Sequence, residues 1–141
     1  MHHVAIMKKS WGFLEKIHSG EKTIESRWYV SKSAPWGKIT KGDTVFFKDT
    51  GGLVSAKADV SDVVLFSDLT PRKVREILDQ YGNKIGIDQQ NMEEFFEHVK
   101  NKKYCILIFL EKPCKIEPFQ ISKQGFGMMS AWITVEDISL V

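Results

Sequence analysis

Residues 20–27, Gly20-Glu21-Lys22-Thr23-Ile24-Glu25-Ser26-Arg27, decide how this chain is read. Gly20 stands where a helix needs a left-handed terminating residue, and the residues after it turn directly into a strand. From Thr23 to Tyr29 the β-branched and aromatic residues obey a period of two. Thr23, Glu25, Arg27 and Tyr29 fall on one side, and Ile24, Ser26 and Trp28 on the other. The charged side is the unusual one. On a solvated surface Glu25 and Arg27 would simply pair with each other. Facing a cleft, they would be costly to desolvate. Glu25 could then hold Lys22 and Arg27 in place and leave their remaining donors for a phosphate or a base edge.

Upstream, Val4 to Met7 reads as a short strand. Ser10 reads as the cap of a helix from Trp11 to Ser19, with Trp11, Leu14, Ile17 and His18 as its apolar stripe. Downstream, Val30 to Gly42 is a long loop of Ser, Pro, Gly and three lysines around Trp36. Thr44 to Lys48 reads as a strand, Asp49-Thr50-Gly51-Gly52 as a hairpin turn, and Val54, Ala56, Ala58 and Val60 as the inward side of the next strand, which Val63 to Phe66 continue. Thr70-Pro71 starts a helix with Val74, Ile77, Leu78 and Tyr81 buried and Gly82 ending it. Asn91 and Glu94 form a capping box for a second helix with Phe95, Phe96 and Val99 inward. Tyr104 to Leu110 reads as a central strand, and Ile116 to Ile121 and Trp132 to Val135 close the sheet. The expectation is an α+β fold over one domain, residues 1–141: a small β-barrel with a helix before the second strand and peripheral helices inserted at about 70–103.

The 141 residues are 43% apolar, 27% charged and 11% aromatic, which excludes a disordered, collagenous or disulfide-stapled chain. The longest apolar run, Cys105 to Leu110, is far below the ~18 residues of a membrane span, and the amino terminus lacks a signal-peptide core, so a cytoplasmic location and no membrane partner are expected. Cys105 and Cys114 offer neither a disulfide framework nor a zinc set. A net charge of +2 carries no message by itself. Its distribution does: Lys22, Arg27, Lys32, Lys38, Lys41 and Lys48 face only Glu25 and Asp43 in the stretch 22–48. No phosphate loop, HExxH, GxSxG or CxxC occurs. His2 and His3 lie at an expected frayed terminus, His18 near a helix end and His98 within a helix, so neither a metal nor another cofactor is expected.

The run from Trp11 through Ile17-His18-Ser19 to Arg27 resembles the signature of the ASCH family, GxKxxExR after a short helix, within the PUA-like superfamily. Gly20, Lys22, Glu25 and Arg27 occupy its four fixed positions. Lys41-Gly42-Asp43-Thr44-Val45-Phe46-Phe47 is similar to the family's second element, a GD turn entering a barrel strand. The resemblance implies a PUA-like mixed β-barrel whose motif residues line a cleft suited to RNA or a modified nucleoside or nucleotide. Trp11, Trp28, Tyr29, Trp36 and Phe126 would supply stacking surfaces, and Lys22, Glu25, Arg27, Lys32, Lys48 and Ser130 polar contacts. At least two of the four tryptophans are expected in the core, and Trp36 is the best candidate for a free stacker. The loop Ser122 to Ser130, with glycines on both sides of Phe126, is the expected second lip, although an ordinary turn burying Phe126 fits the same residues.

Three functions follow. The leading one is a module binding RNA or a modified nucleotide through Lys22, Glu25 and Arg27. The second is an enzyme: some ASCH-like proteins are amidohydrolases that deacylate 4-acetylcytidine with the motif lysine, a threonine and a glutamate, and others are RNA-cleaving. Lys22 and Glu25 would be catalytic in that case, but Glu25 stands where the hydrolases have their threonine. Glu25 also favours the charged form of Lys22 over a nucleophilic amine. The third is a protein-interaction domain meeting an acidic partner.

Overall fold

The computed structural model describes residues 1–122 and 130–141. Six strands form one sheet: β1 (His2–Met7), β2 (Ile24–Tyr29), β3 (Thr44–Asp49), β4 (Val54–Phe66), β5 (Tyr104–Phe119) and β6 (Trp132–Val135), in the order β2-β5-β4-β3-β1-β6. All neighbours are antiparallel except β1 and β3. The sheet curls into a half-barrel, carried by three helices, α1 (Phe13–Ser19), α2 (Pro71–Ile85) and α3 (Met92–Val99). Alternation places apolar side chains on both faces of β1. Ala5 and Met7 join the main core with Phe47, Ala56, Ala58 and the helices, while Val4 and Ile6 join a smaller cluster with Phe46, Ile133 and Val135.

Where the elements depart from expectation, local chemistry explains it. The first helix begins at Phe13, because Gly12 adopts a left-handed φ of 68° and separates it from a 3-10 turn at Lys9–Trp11. Its buried residues are Phe13 and Ile17, and Ser10 is not a cap. Gly20 ends it as expected. The helix begun by Thr70, whose hydroxyl accepts the Lys73 N–H, runs past Gly82 to Gly86. Gly82 is instead a point of close approach, since a Cβ there would lie 2.6 Å from the Met92 Cε. Asn91 makes no capping bond: it lies in a 3-10 turn with helical dihedrals, so its side chain does not reach back to the first amides. The two strands expected at 104–110 and 116–121 are one, β5, kinked at Lys112 (φ 52°). His3 is not frayed but fully buried in β1.

Because β2 and β6 are the two ends of the sheet order, no strand among the described residues pairs with the outer side of β2. The phase of that free edge can be read from the Leu110 N–H donating to the Thr23 carbonyl (2.9 Å) and the Lys103 N–H to the Tyr29 carbonyl (2.9 Å). Odd-numbered residues of β2 therefore bond to β5, and Ile24, Ser26 and Trp28 turn their backbone groups to the open side.

The helical hairpin is locked to the barrel at the end of α2. Lys16 Nζ donates to the Gly86 carbonyl (2.6 Å) and to Asp88 (2.8 Å), and Lys22 Nζ donates to the Ile85 carbonyl (2.6 Å). Gly86 sits at φ 97°, and a Cβ there would meet Lys22 Cβ at 3.1 Å, whereas Gly20 (φ 83°) has open space around it. Gly86→Ala is expected to cost more than the ~1–2 kcal/mol of left-handed strain alone. Gly20→Ala should show that strain without the crowding, and chemical denaturation of both variants measures the difference.

Candidate functional site

The residues of the sequence signature converge. Glu25 is bonded on both oxygens: Oε1 lies 3.0 Å from Lys22 Nζ, and Oε2 accepts from Arg27 Nε (3.0 Å) and a terminal guanidinium nitrogen (2.8 Å). The Lys22 side chain is 0% exposed, that of Glu25 3% and that of Arg27 13%. Lys22 has three protons and three acceptors, Glu25 and the carbonyls of Ile24 (2.7 Å) and Ile85 (2.6 Å), with its ammonium 4.2 Å from the Phe13 ring centre. The donors expected to remain for a ligand are thus consumed at Lys22. Arg27 commits four of its five to Glu25 and to the carbonyls of Ala131 (3.2 Å) and Ile6 (3.3 Å). Those carbonyls belong to the opposite end of the sheet. One guanidinium therefore spans the seam where a closed barrel would have a strand ladder.

Burial alone would raise the Glu25 carboxyl, but Lys22 and Arg27 outweigh it and hold it below the usual carboxylate range. Burial draws the Lys22 ammonium down, against the pull of Glu25. A carboxylate and two carbonyls around one Nζ are the acceptors that an ammonium requires.

Beyond Arg27 the guanidinium carbon lies 5.1 Å from the Trp132 ring. The indole N–H donates to His3 Nδ1 (3.1 Å), so the proton on the ring's other nitrogen, Nε2, points to Asp43 (2.8 Å). Burial lowers the His3 pKa and favours this neutral tautomer.

A cleft of about 450 Å³ opens at the seam. Ile6, Met7 and Lys8 form one side, Glu25 to Tyr29 the other, and Trp11 with Phe95, His98, Val99 and Lys102 a third. Phe95 receives Trp11 and Trp28 edge-on, at 5.3 Å and 6.4 Å. Trp28 Nε1 donates to the Ser26 hydroxyl (3.0 Å), and the Tyr29 hydroxyl donates to the Ala34 carbonyl (2.7 Å).

Of the residues expected from sequence, Glu25, Arg27, Trp28, Tyr29 and Trp11 line this cleft. Lys22 sits behind it, under Glu25. Lys48 is half-buried on β3 and does not line the cleft; nor do Lys32 and Trp36, which stand together beyond Tyr29. Trp36 is not an isolated ring: it is half-buried and packs edge-on against Tyr104 at 5.3 Å. Ser130 is half-buried beside Ala131, and Phe126 falls outside the described residues. Trp132 is the one tryptophan buried outright, not the two or more expected; Trp11, Trp28 and Trp36 are half-buried against the core. Lys8, His98, Val99 and Lys102 were missed. Only the tertiary packing of α3 over β2 brings the last three here, and the basic end of that helix was the single signal available.

No protein-family model matches the sequence, and no curated protein does. Solved structures do match in fold. The ASCH protein of Zymomonas mobilis superposes with a TM-score of 0.64 at 17% identity, over 95% of this chain and 87% of that one. The N-terminal domain of Staphylothermus marinus McrB gives 0.58 at 11% identity, over 95% and 87%. The chain has the ASCH, PUA-like fold.

Two outcomes test the buried cluster. Lys22→Met removes one partner of Glu25 and the donor to two carbonyls, and is expected to cost about 3–5 kcal/mol in urea unfolding. Glu25 stabilises the fold as a carboxylate, fully above its unfolded value of about 4.3, and that contribution is lost as pH falls through the depressed folded value. Glu25→Gln should therefore flatten the loss of stability on acidification below about pH 4.3, read from unfolding midpoints across an acid series.

Proposed function

We propose that the seam cleft binds a nucleobase, either in RNA or in a modified nucleotide. The observation that carries this reading is the free edge of β2 opening into an aromatic cleft. Ser26 and Trp28 line it and turn backbone groups to the open side of β2, the kind of edge that a base can pair with, and Trp11, Trp28 and Tyr29 are among the aromatic residues of its lining. Its volume falls in the usual range for small-ligand clefts, about 300–1,000 Å³. Lys8, His98 and Lys102 at the rim suit a phosphate, and the fifth guanidinium proton of Arg27 is one further donor. In this reading Lys22 and Glu25 do not touch the ligand; they fix the angle of Arg27. The fold shared with an ASCH protein supports the reading.

An acylated-cytidine hydrolase would need Lys22 or Glu25 at the reacting carbonyl. Glu25 borders the cleft, but Lys22 does not, and its protons are all donated to protein acceptors. The geometry therefore favours binding over acyl transfer.

Removing one stacking surface costs about 1–3 kcal/mol per base, so Trp28→Ala is expected to weaken ribonucleoside binding roughly 5- to 150-fold in titrations, with circular dichroism confirming the fold. Affinity unchanged by Trp28→Ala would remove the base-binding reading. Release of cytidine from 4-acetylcytidine would install the hydrolase in its place.

A further inference from the structure

We propose that the ligand is a polynucleotide strand rather than a free nucleoside, and that its backbone leaves the cleft across Lys102, Lys103 and Lys32 toward a second stacking site at Trp36 and Tyr104. The proposal rests on the base-binding reading of the cleft and extends it along the surface. Tyr29 closes the cleft at the end of β2, and its direct partner across the ladder is Tyr104, so the two rings share one face. Tyr104 receives Trp36 at 5.3 Å and 71°, and Lys32 Nζ stands 5.5 Å from the centre of each ring. The loop carrying Lys32 and Trp36 is fastened to the cleft wall by the Tyr29 hydroxyl on the Ala34 carbonyl. The cleft and this second aromatic pair are thus parts of one surface.

Cations lie along the surface between them. Among the described residues Lys16, Lys22, Lys100, Arg27, Arg72 and Arg75 all pair with carboxylates. Lys8, Lys32, Lys102 and Lys103 pair with none, as is true of most other described lysines; what sets these four apart is their position along this surface. Lys8 and Lys102 stand at the cleft rim, Lys103 is fixed beside Tyr29 through its own backbone bond, and Lys32 covers the second pair of rings. Unpaired cations alternating with aromatic faces are what a phosphodiester strand with unstacked bases requires. A nucleoside occupying only the cleft would leave Lys32, Lys103 and the Trp36–Tyr104 pair unused.

The test compares a labelled single-stranded RNA of mixed sequence, about ten nucleotides long, with the four ribonucleosides singly. The RNA is expected to bind more tightly, by roughly 5- to 150-fold for one further stacked base. Lys32→Ala/Lys103→Ala, two exposed side chains outside the cleft, should flatten the dependence of log K on log salt for the RNA by about 1.4, at about 0.7 per phosphate contact, and leave nucleoside affinity unchanged. An unaltered salt slope in that variant overturns the strand path. So does displacement of the RNA by polyglutamate at equal charge, which would assign the strip to acidic proteins. Trp28→Ala separates the two readings. If it still weakens nucleoside binding while the lysine pair has no effect, the base cleft stands and only the path fails. If it has no effect on either probe, both fail.

Discussion

Everything in this fold that concerns its cleft is arranged around one carboxylate held between two cations. Glu25 is almost completely removed from water, and an isolated charge there would be prohibitively expensive. It is stable only because Lys22 and Arg27 supply both charge and hydrogen bonds. Each cation is in turn completed by backbone carbonyls: Lys22 by those of Ile24 and Ile85, Arg27 by those of Ile6 and Ala131. The cluster thus connects the helical hairpin, the free strand β2 and the opposite end of the sheet. A ring of apolar residues could fill the same volume, but it could not satisfy four carbonyl groups at a seam that has no ladder.

This explains the division of labour within the signature. Its lysine and glutamate are buried and fully bonded, and together they fix the place of the arginine. Glu25 and Arg27 do border the cleft, beside the residues that follow, Trp28 and Tyr29, and groups from β1 and α3. A polar motif need not be a contact list. Here its spacing follows from the geometry of a turn that folds Lys22 back beneath a strand two residues further on.

Period-two patterning made β2, the inward side of β4 and the pairing of Glu25 with Arg27 legible in the sequence, and Thr70-Pro71 announced α2. The errors share a cause. Gly82 and Gly86 offer the same local signal, and only the passage of Met92 across Gly82 decides which ends the helix. Likewise β5 appears as two strands because its far half is exposed and carries charges and prolines in place of an apolar alternation. The cleft was half visible: β2 announced itself, while Lys8, His98 and Lys102 arrive from segments whose meeting is set by tertiary packing. Lys22 was readable as a cation, but the acceptors that exhaust it, at Ile24 and Ile85, are backbone atoms that no side-chain pattern displays.

The position of α3 has a consequence for how such a cleft can diversify. One wall is the barrel itself, fixed by the seam cluster. The other is a helix that rests on α2 through the Arg75–Glu93 ion pair and the Met92 contact at Gly82, and α2 is moored to the barrel at its carboxyl end. A change within that hairpin, between its moorings at Lys84 to Gly86 and at Lys103, would widen or narrow the aperture while the strand ladders of the barrel stay in place. The width of the opening can therefore drift in one module while the scaffold beneath it stays constant.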